Sequence, residues 1–535
     1  MSSIDDALAR LRAAPPALGV GFAAVGGPLE ARWRQAVDEL EQCIRPISGS
    51  APVLNEGGVY HGAWIESTGS INAELLARFA PDVARATHLL FAQHQRDDGM
   101  IPYKVTDAGP GFSQIQIVTP LARTVWNHFL LTGGTDVEYL RTMYDAMARY
   151  DDWLARYRDT RGTGAVEAFC TFDTGHDLSP RFWFVPDRAY LSDARLVDPA
   201  SPVLPYIAPD LTANVACQRA YLALIAAELG LDAAPWRAAA AASIEALFAQ
   251  CFDADDATFY DRDTTGELVR IQSDVLLRVL ACEVGDESFF AAALARYLMN
   301  TRKFLSHYGF TSLAMDDPRF DHDYTRNSWG GPVNFLSLIR APHAFEHHGH
   351  VAELALVSGS VLSAVGQSDR FPQCLDPWTG APGFTTVYSP SILWLLDAVE
   401  RGFGILPRPD GEIWFSGLTP TRLDHGSAAS AVAYSRVVDG VAYELAGDDS
   451  SVVVQRSGVP WLAFPRGWRV IHSPAGLTVV GLAPTAVAGS LVVSGLHGAG
   501  ESLELTVQPN ERVVLAEGSL AVVSRSGPGF VAPRT

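Results

Sequence analysis

At 535 residues, 48% of them apolar, the chain has enough material for one large buried core and a smaller second one. Its formal net charge of -20, from 40 basic and 60 acidic residues with no basic run, argues against a nucleic acid partner. The start Met1-Ser2-Ser3-Ile4-Asp5-Asp6 lacks the basic and apolar regions of a signal peptide, and no stretch offers the roughly 18 uninterrupted apolar residues of a membrane span, so a cytoplasmic protein without membrane contact is expected.

In chain order, residues 1–55 read as a helical and extended lead-in. Residues 56–404 read as one large domain, in which the dominant pattern from about residue 70 to residue 403 is helical, with apolar residues at three- and four-residue spacing. The segments are Pro81–Gln95, Thr119–Thr132, Val137–Tyr157, Asp210–Gly230, Ala234–Phe252, Ile271–Val284, Ser288–Asn300, Gly331–Ile339, Ala344–Val365 and Ser389–Val399. Weaker segments near 30–45 and 68–79 bring the count to about twelve helices, the number needed to close six hairpins into an (α/α)6 toroid. Between them, Val185 to Pro209 carries five prolines and cannot be regular helix; so long a loop is more often a functional wall than a linker. After Gly404 the texture changes to β-branched runs such as Ser451–Gln455, Leu477–Val480 and Leu503–Val507, which predict an all-β, sandwich-like domain over 405–535. The expected class is therefore mainly α with a C-terminal β domain, the latter a buttress or a minor carbohydrate contact.

The six cysteines show no CxxC spacing, so neither a disulfide framework nor a zinc site is suggested, and buried thiols are expected. His343, His347, His348 and His350 cluster without an HExxH pattern, and solvated or locally satisfied imidazoles are the better account. No metal and no cofactor is expected.

Four loops combine aromatic, amide and carboxylate side chains. The first runs from Tyr60 and His61 through Trp64 to Glu66, with Gln114 and Gln116 following downstream; rings that stack on a sugar face beside groups that bind its hydroxyls suit a carbohydrate pocket. Trp64 as core and Glu66 as a helix-start charge is an equal alternative. The second, Phe172-Asp173-Thr174-Gly175-His176-Asp177-Leu178-Ser179-Pro180-Arg181-Phe182-Trp183, sets Asp177 between hydrogen-bond partners, as a catalytic acid or as an ordinary cap. The third holds Asn327, Trp329 and Asn334 around Gly330-Gly331-Pro332, and the fourth is Phe371-Pro372-Gln373-Cys374-Leu375-Asp376-Pro377-Trp378.

The order of these motifs resembles the (α/α)6-barrel glycosidases of glycoside hydrolase family 63, including mannosylglycerate and glucosylglycerate hydrolases, and more distantly trehalases. The likeness rests on Asp98-Gly99-x-Ile101-Pro102, Gly175-x-Asp177-x-Ser179-Pro180-Arg181, Tyr308-Gly309-Phe310-x-Ser312-Leu313, Trp329-Gly330-Gly331-Pro332 and Asp376-Pro377-x-Thr379-Gly380, and covers about two thirds of the chain, from Trp64 to about Leu396. It implies an inverting hydrolase of an α-linked glycoside with Asp177 as general acid and a sugar held by Tyr60, His61, Trp64, Glu66, Gln114, Gln116, Phe172, Trp183, Asn327, Trp329, Asn334 and Trp378.

Three departures stand out, the first being Trp64-Ile65-Glu66, where family members more often have a Trp with an Asp nearby that holds sugar hydroxyls. Gly330 occupies a position where the family usually has Arg, and the position of the family's general base, a Glu, is occupied by Gln373. An amide accepts no proton from water. Three accounts stand at this level: a Glu-to-Gln change introduced to trap substrate, another carboxylate such as Asp376 or Glu66 acting instead, or a chain with altered chemistry. The last includes a carbohydrate-binding protein or another sugar-active toroid such as an epimerase, which would need paired histidines facing the pocket.

Overall fold

The computed structural model describes residues 3–117, 119–422, 426–494 and 501–535. Its helices are α1 Ser3–Ala13, α2 Leu29–Cys43, α3 Ile71–Leu76, α4 Pro81–Gln93, α5 Leu121–Leu131, α6 Val137–Tyr157, α7 Pro209–Glu228, α8 Ala234–Cys251, α9 Val275–Leu280, α10 Glu287–Ala293, α11 Phe335–Leu338, α12 Ala341–His347, α13 Val351–Val365 and α14 Ser389–Phe403. The longest, α6, shows how the pattern works. Asp136 caps it by accepting from the Tyr139 N–H at 3.0 Å, and Leu140, Met143, Met147, Tyr150 and Leu154 line one buried stripe.

Several helices are shorter than their apolar pattern. The expected helix over 344–365 divides into α12 and α13 because Gly349 adopts φ +81, and Gly331–Ile339 opens as a strand pair before a single helical turn. Helix α3 packs on α5, α5 on α7, α7 on α9, α9 on α12, α12 on α11, α11 on α14 and α14 back on α3, a closed circuit of neighbours. Outside it, α2 lies on α14, α4 on α3, α6 on α4 and α5, α8 on α7, and α13 on α12.

Among the described residues, thirteen strands build the two large sheets of the β region: β1 Val20–Val25, β2 Ile405–Pro407, β3 Ile413–Ser416, β4 Ala431–Val438, β5 Val441–Asp448, β6 Ser451–Arg456, β7 Val459–Pro465, β8 Trp468–Ser473, β9 Gly476–Gly481, β10 Val487–Val493, β11 Glu501–Val507, β12 Arg512–Leu515 and β13 Val522–Ser526. One sheet runs β1-β4-β5-β6-β7-β10-β11 and the other β2-β3-β8-β9-β12-β13. Their inner faces meet where the Phe415 ring packs on Tyr443 and Trp461, at 5.4 and 5.5 Å. The lead-in does not stand apart: β1 pairs antiparallel with β4 from Val20↔Arg436 to Val25↔Ala431, and α1 packs across both.

A buried charge cluster ties the sheets to α14. Glu400 accepts from Tyr434 Oη at 2.6 Å and pairs with Arg436 and Arg78, both at 2.7 Å, while Asp397 pairs with Arg78 and Arg401. All six cysteines are buried. Among the described residues no helix is long and apolar enough to cross a membrane.

Candidate active site

The loop that carries Asp177 is short of regular structure and is held by buried ion pairs. Asp173 accepts from Phe169 N at 2.7 Å and Ile115 N at 2.9 Å, and binds both guanidinium nitrogens of Arg158. The Ile115 bond fixes Gln114 and Gln116 beside the loop. Arg181 forks onto Asp210 at 3.1 Å and Asp261 at 2.7 Å, and Arg278 donates to Thr174 O at 2.6 Å. His176 lies between Arg181 Nη1, at 2.6 Å, and Asp274, at 3.1 Å; burial, then the charge of Arg278, lowers its pKa to about 3, so it is a neutral spacer. Gly175 takes φ +66 and faces Glu66, which leaves no space for a side chain.

These constraints present Asp177 to a cavity of about 270 Å³ lined by Glu56, Tyr60, Trp64, Glu66, Tyr103, Lys104, Gln114, Gln116, Phe172, Gly175, Asp177, Arg188, Asn327, Leu336, Gln373 and Tyr388. A larger cavity of about 600 Å³ lies between α13, α14 and the sheets, and none of the sequence-predicted site residues lines it.

Asp177, Asn327, Gln373 and Tyr60 form one hydrogen-bonded chain. Asn327 Nδ2 donates to Asp177 Oδ2, Gln373 Nε2 donates to Asn327 Oδ1 at 2.9 Å, and Tyr60 Oη donates to Gln373 Oε1 at 2.8 Å. Burial raises the Asp177 carboxyl well above the usual carboxylate range, and the nearby charges of Glu66 and Asp187 add to the rise against the pull of Arg278. Glu66 receives Gln116 Nε2 at 2.8 Å and faces Arg340 and Arg278 at 3.6 and 3.9 Å. Trp64 presents its ring edge-to-face to Tyr60 at 5.6 Å, with the Lys104 ammonium 5.6 Å from its centroid.

Of the sequence-predicted residues, Tyr60, Trp64, Glu66, Gln114, Gln116, Phe172, Asp177, Asn327 and Gln373 share this cavity. Five others lie off its walls. His61 is exposed just before the turn at Gly62, and Trp183 is 55% exposed beyond the Pro180–Phe182 turn, off the wall where it was expected to hold the sugar. Trp329 is core, tilted against His176 at 4.7 Å and under Arg278 at 4.6 Å. Asn334 caps α11 by accepting from Leu336 N at 2.9 Å, and Trp378 packs outward on Phe320 and His322. Asp376 is also absent from the walls: it closes its own turn, accepting from Trp378 N, Thr379 N and Thr379 Oγ1.

The four clustered histidines point elsewhere as well. His343 contacts Glu74, His347 faces Glu283, His348 stacks on Phe290 and His350 contacts Glu353. Sequence reading missed Glu56, Tyr103, Lys104, Arg188, Leu336 and Tyr388 as wall residues. The Glu56-Gly57-Gly58 turn was the available signal for the first of them.

A carboxyl of raised pKa facing a polar cavity walled by aromatics marks the candidate active site of this helical chain. Comparison with known proteins gives the family: a model described as the mannosylglycerate hydrolase MGH1-like glycoside hydrolase domain matches residues 60–391, and the chain belongs to that family. None of the curated proteins matches. Among solved structures, the family 63 mannosylglycerate hydrolase from Thermus thermophilus superposes with a TM-score of 0.57 at 19% identity, over 68% of this chain and 98% of its own. Neutral trehalase from Saccharomyces cerevisiae gives 0.51 at 14% identity, over 65% and 73% of the two chains. A family 78 rhamnosidase from Bacillus sp. GL1 gives 0.55 at 12%, over 81% of this chain and 40% of its own. At these identities the structural likeness is one of fold.

Proposed function

We propose that this glycoside hydrolase cleaves an α-linked glycoside of small size with inversion at the anomeric carbon. The closed circuit of helices supports an (α/α)6 toroid as its frame, and the observation that carries the reading is the Asp177–Asn327–Gln373 chain across one cavity. Two hydrogen bonds through a single carboxamide keep Asp177 Oδ2 and Gln373 Nε2 no more than about 8 Å apart, compatible with the roughly 6.5–9.5 Å that leaves room for a water opposite the acid.

Asp177, its carboxyl raised well above the usual carboxylate range by burial, donates its proton to the glycosidic oxygen as the bond to the anomeric carbon breaks. A water on the far side of the sugar ring forms the new bond and passes one proton to a carboxylate of the cavity wall. Gln373 orients that water through its amide but cannot take the proton. Glu66, Gln114 and Gln116 hold hydroxyls, and Trp64 and Phe172 offer ring faces.

Gln373 also favours a second reading, a protein that binds a sugar without cleaving it. Turnover of a panel of α-glucosides, α-mannosides and related disaccharides by the natural chain, Asp177→Asn and Gln373→Glu separates the two. Hydrolysis that Asp177→Asn abolishes supports the enzyme. Binding without turnover by the natural chain and by Gln373→Glu contradicts it.

A further inference from the structure

Inversion needs a second carboxylate beside the acid, and among the described residues the cavity wall holds three carboxylates: Glu56, Glu66 and Asp177. Glu66 is committed, facing two guanidiniums and receiving Gln116. Glu56 differs from it in having no cation against it among the described residues; its carboxylate is held by the hydroxyls of Ser67 and Tyr388 and by the Thr68 N–H.

Its backbone is pinned on the wall that carries Gln373. Glu56 O accepts from Ser389 N at 2.9 Å and Gly57 pairs with Tyr388, whose own N–H donates to Phe371 O at 3.1 Å, two residues before Gln373. A Cβ on Gly57, at φ +87, would lie 2.2 Å from Val387 O, so that approach requires glycine. Tyr388 packs on Tyr60 at 5.9 Å, and Tyr60 bonds Gln373.

We propose that Glu56 is the catalytic residue that accepts the proton of the attacking water, with Gln373 orienting that water. This deepens the glycosidase reading and rests on it. In the step, the water oxygen bonds to the anomeric carbon, its proton passes to Glu56, and the leaving oxygen departs with the proton of Asp177. Burial raises the Glu56 carboxyl to about 7, close to the pKa that suits a base at neutral pH.

The test uses α-D-glucosyl fluoride and α-D-mannosyl fluoride, whose leaving group needs no acid, with the full chain, Glu56→Gln and Glu56→Ala, folding being checked by circular dichroism. Turnover by the natural chain addresses the glycosidase reading by itself; none on either fluoride overturns that reading and this one together. Given that turnover, Glu56→Gln is expected to lose at least 100-fold in kcat. Sodium azide, which forms a carbon–nitrogen bond as fluoride leaves and needs no proton acceptor, is expected to restore Glu56→Ala at least 10-fold and to yield the β-glycosyl azide. A merely structural Glu56 gives no such rescue. Folded Glu56→Gln within threefold of the natural kcat, or a folded Glu56→Ala that azide does not restore, overturns the assignment.

Discussion

Replacing Gly175 by alanine tests whether the acid loop is locked against the sugar-holding carboxylate. Gly175 has φ +66, and a Cβ there would lie 2.5 Å from both carboxylate oxygens of Glu66. Glu66 has no easy retreat, since Gln116, Arg340 and Arg278 surround it. Gly162 is the matched control: its φ is +65 and a Cβ there meets nothing within 4 Å. The left-handed backbone alone costs about 1–2 kcal/mol, so that is the expected effect of Gly162→Ala. Gly175→Ala adds the displacement of Glu66 and the loss of a hydrogen bond to a charged group, roughly 1.5–3 kcal/mol more. Urea unfolding followed by tryptophan fluorescence gives the difference between the two variants, and kcat/KM on a cleaved α-glycoside should fall at least 100-fold for Gly175→Ala and stay near the natural value for Gly162→Ala. Equal stability and activity for the two variants would refute the locked-loop argument.

Asp177→Asn should lower kcat on a glycoside with a poor leaving group by about 10²–10⁴ while leaving sugar binding measurable by calorimetry. Because the Asp177 carboxyl is raised, the natural kcat/KM should decline on the alkaline side as that proton is lost, a limb absent from Asp177→Asn. Arg181→Met leaves Asp261 buried without its cation and Asp210 with Arg278 alone, at 3.4 Å, and should cost about 3–5 kcal/mol in urea unfolding. Glu74 is buried, but His343, Arg123 and Asn127 outweigh that burial and hold it at about 2, below its ordinary 4.5. Its contribution of roughly 3 kcal/mol is therefore complete above pH 4.5 and lost as pH falls toward 2, a slope that Glu74→Gln should flatten in acid titrations of stability.

What could be read ahead of the structure follows from how local each signal is. Gly175, Asp177, Ser179 and Arg181 were legible because a positive-φ turn, an acid and a capped Pro turn lie within a few residues. Gln114 and Gln116 were legible as amides following the Tyr60–Glu66 loop, while their tie to the Asp177 loop through the Ile115 N–H was not. Trp329 and Asn334 show the converse: an aromatic beside Gly-Gly-Pro reads equally as a sugar platform or as core, and only the guanidinium of Arg278 over its ring decides for core. Glu56 was hidden because its wall partners, Tyr388 and Ser389, are more than 300 residues away in the chain. The edge strand Val20–Val25 was hidden for the same reason, since VGFAAV is a short apolar run whose partner begins at Ala431.

Proton NMR of the first-formed sugar during hydrolysis of an α-glycoside by the natural chain tests inversion at the anomeric carbon most directly. The β anomer appearing first, with the α anomer growing in later by mutarotation, is the predicted result. The α anomer appearing first would contradict it.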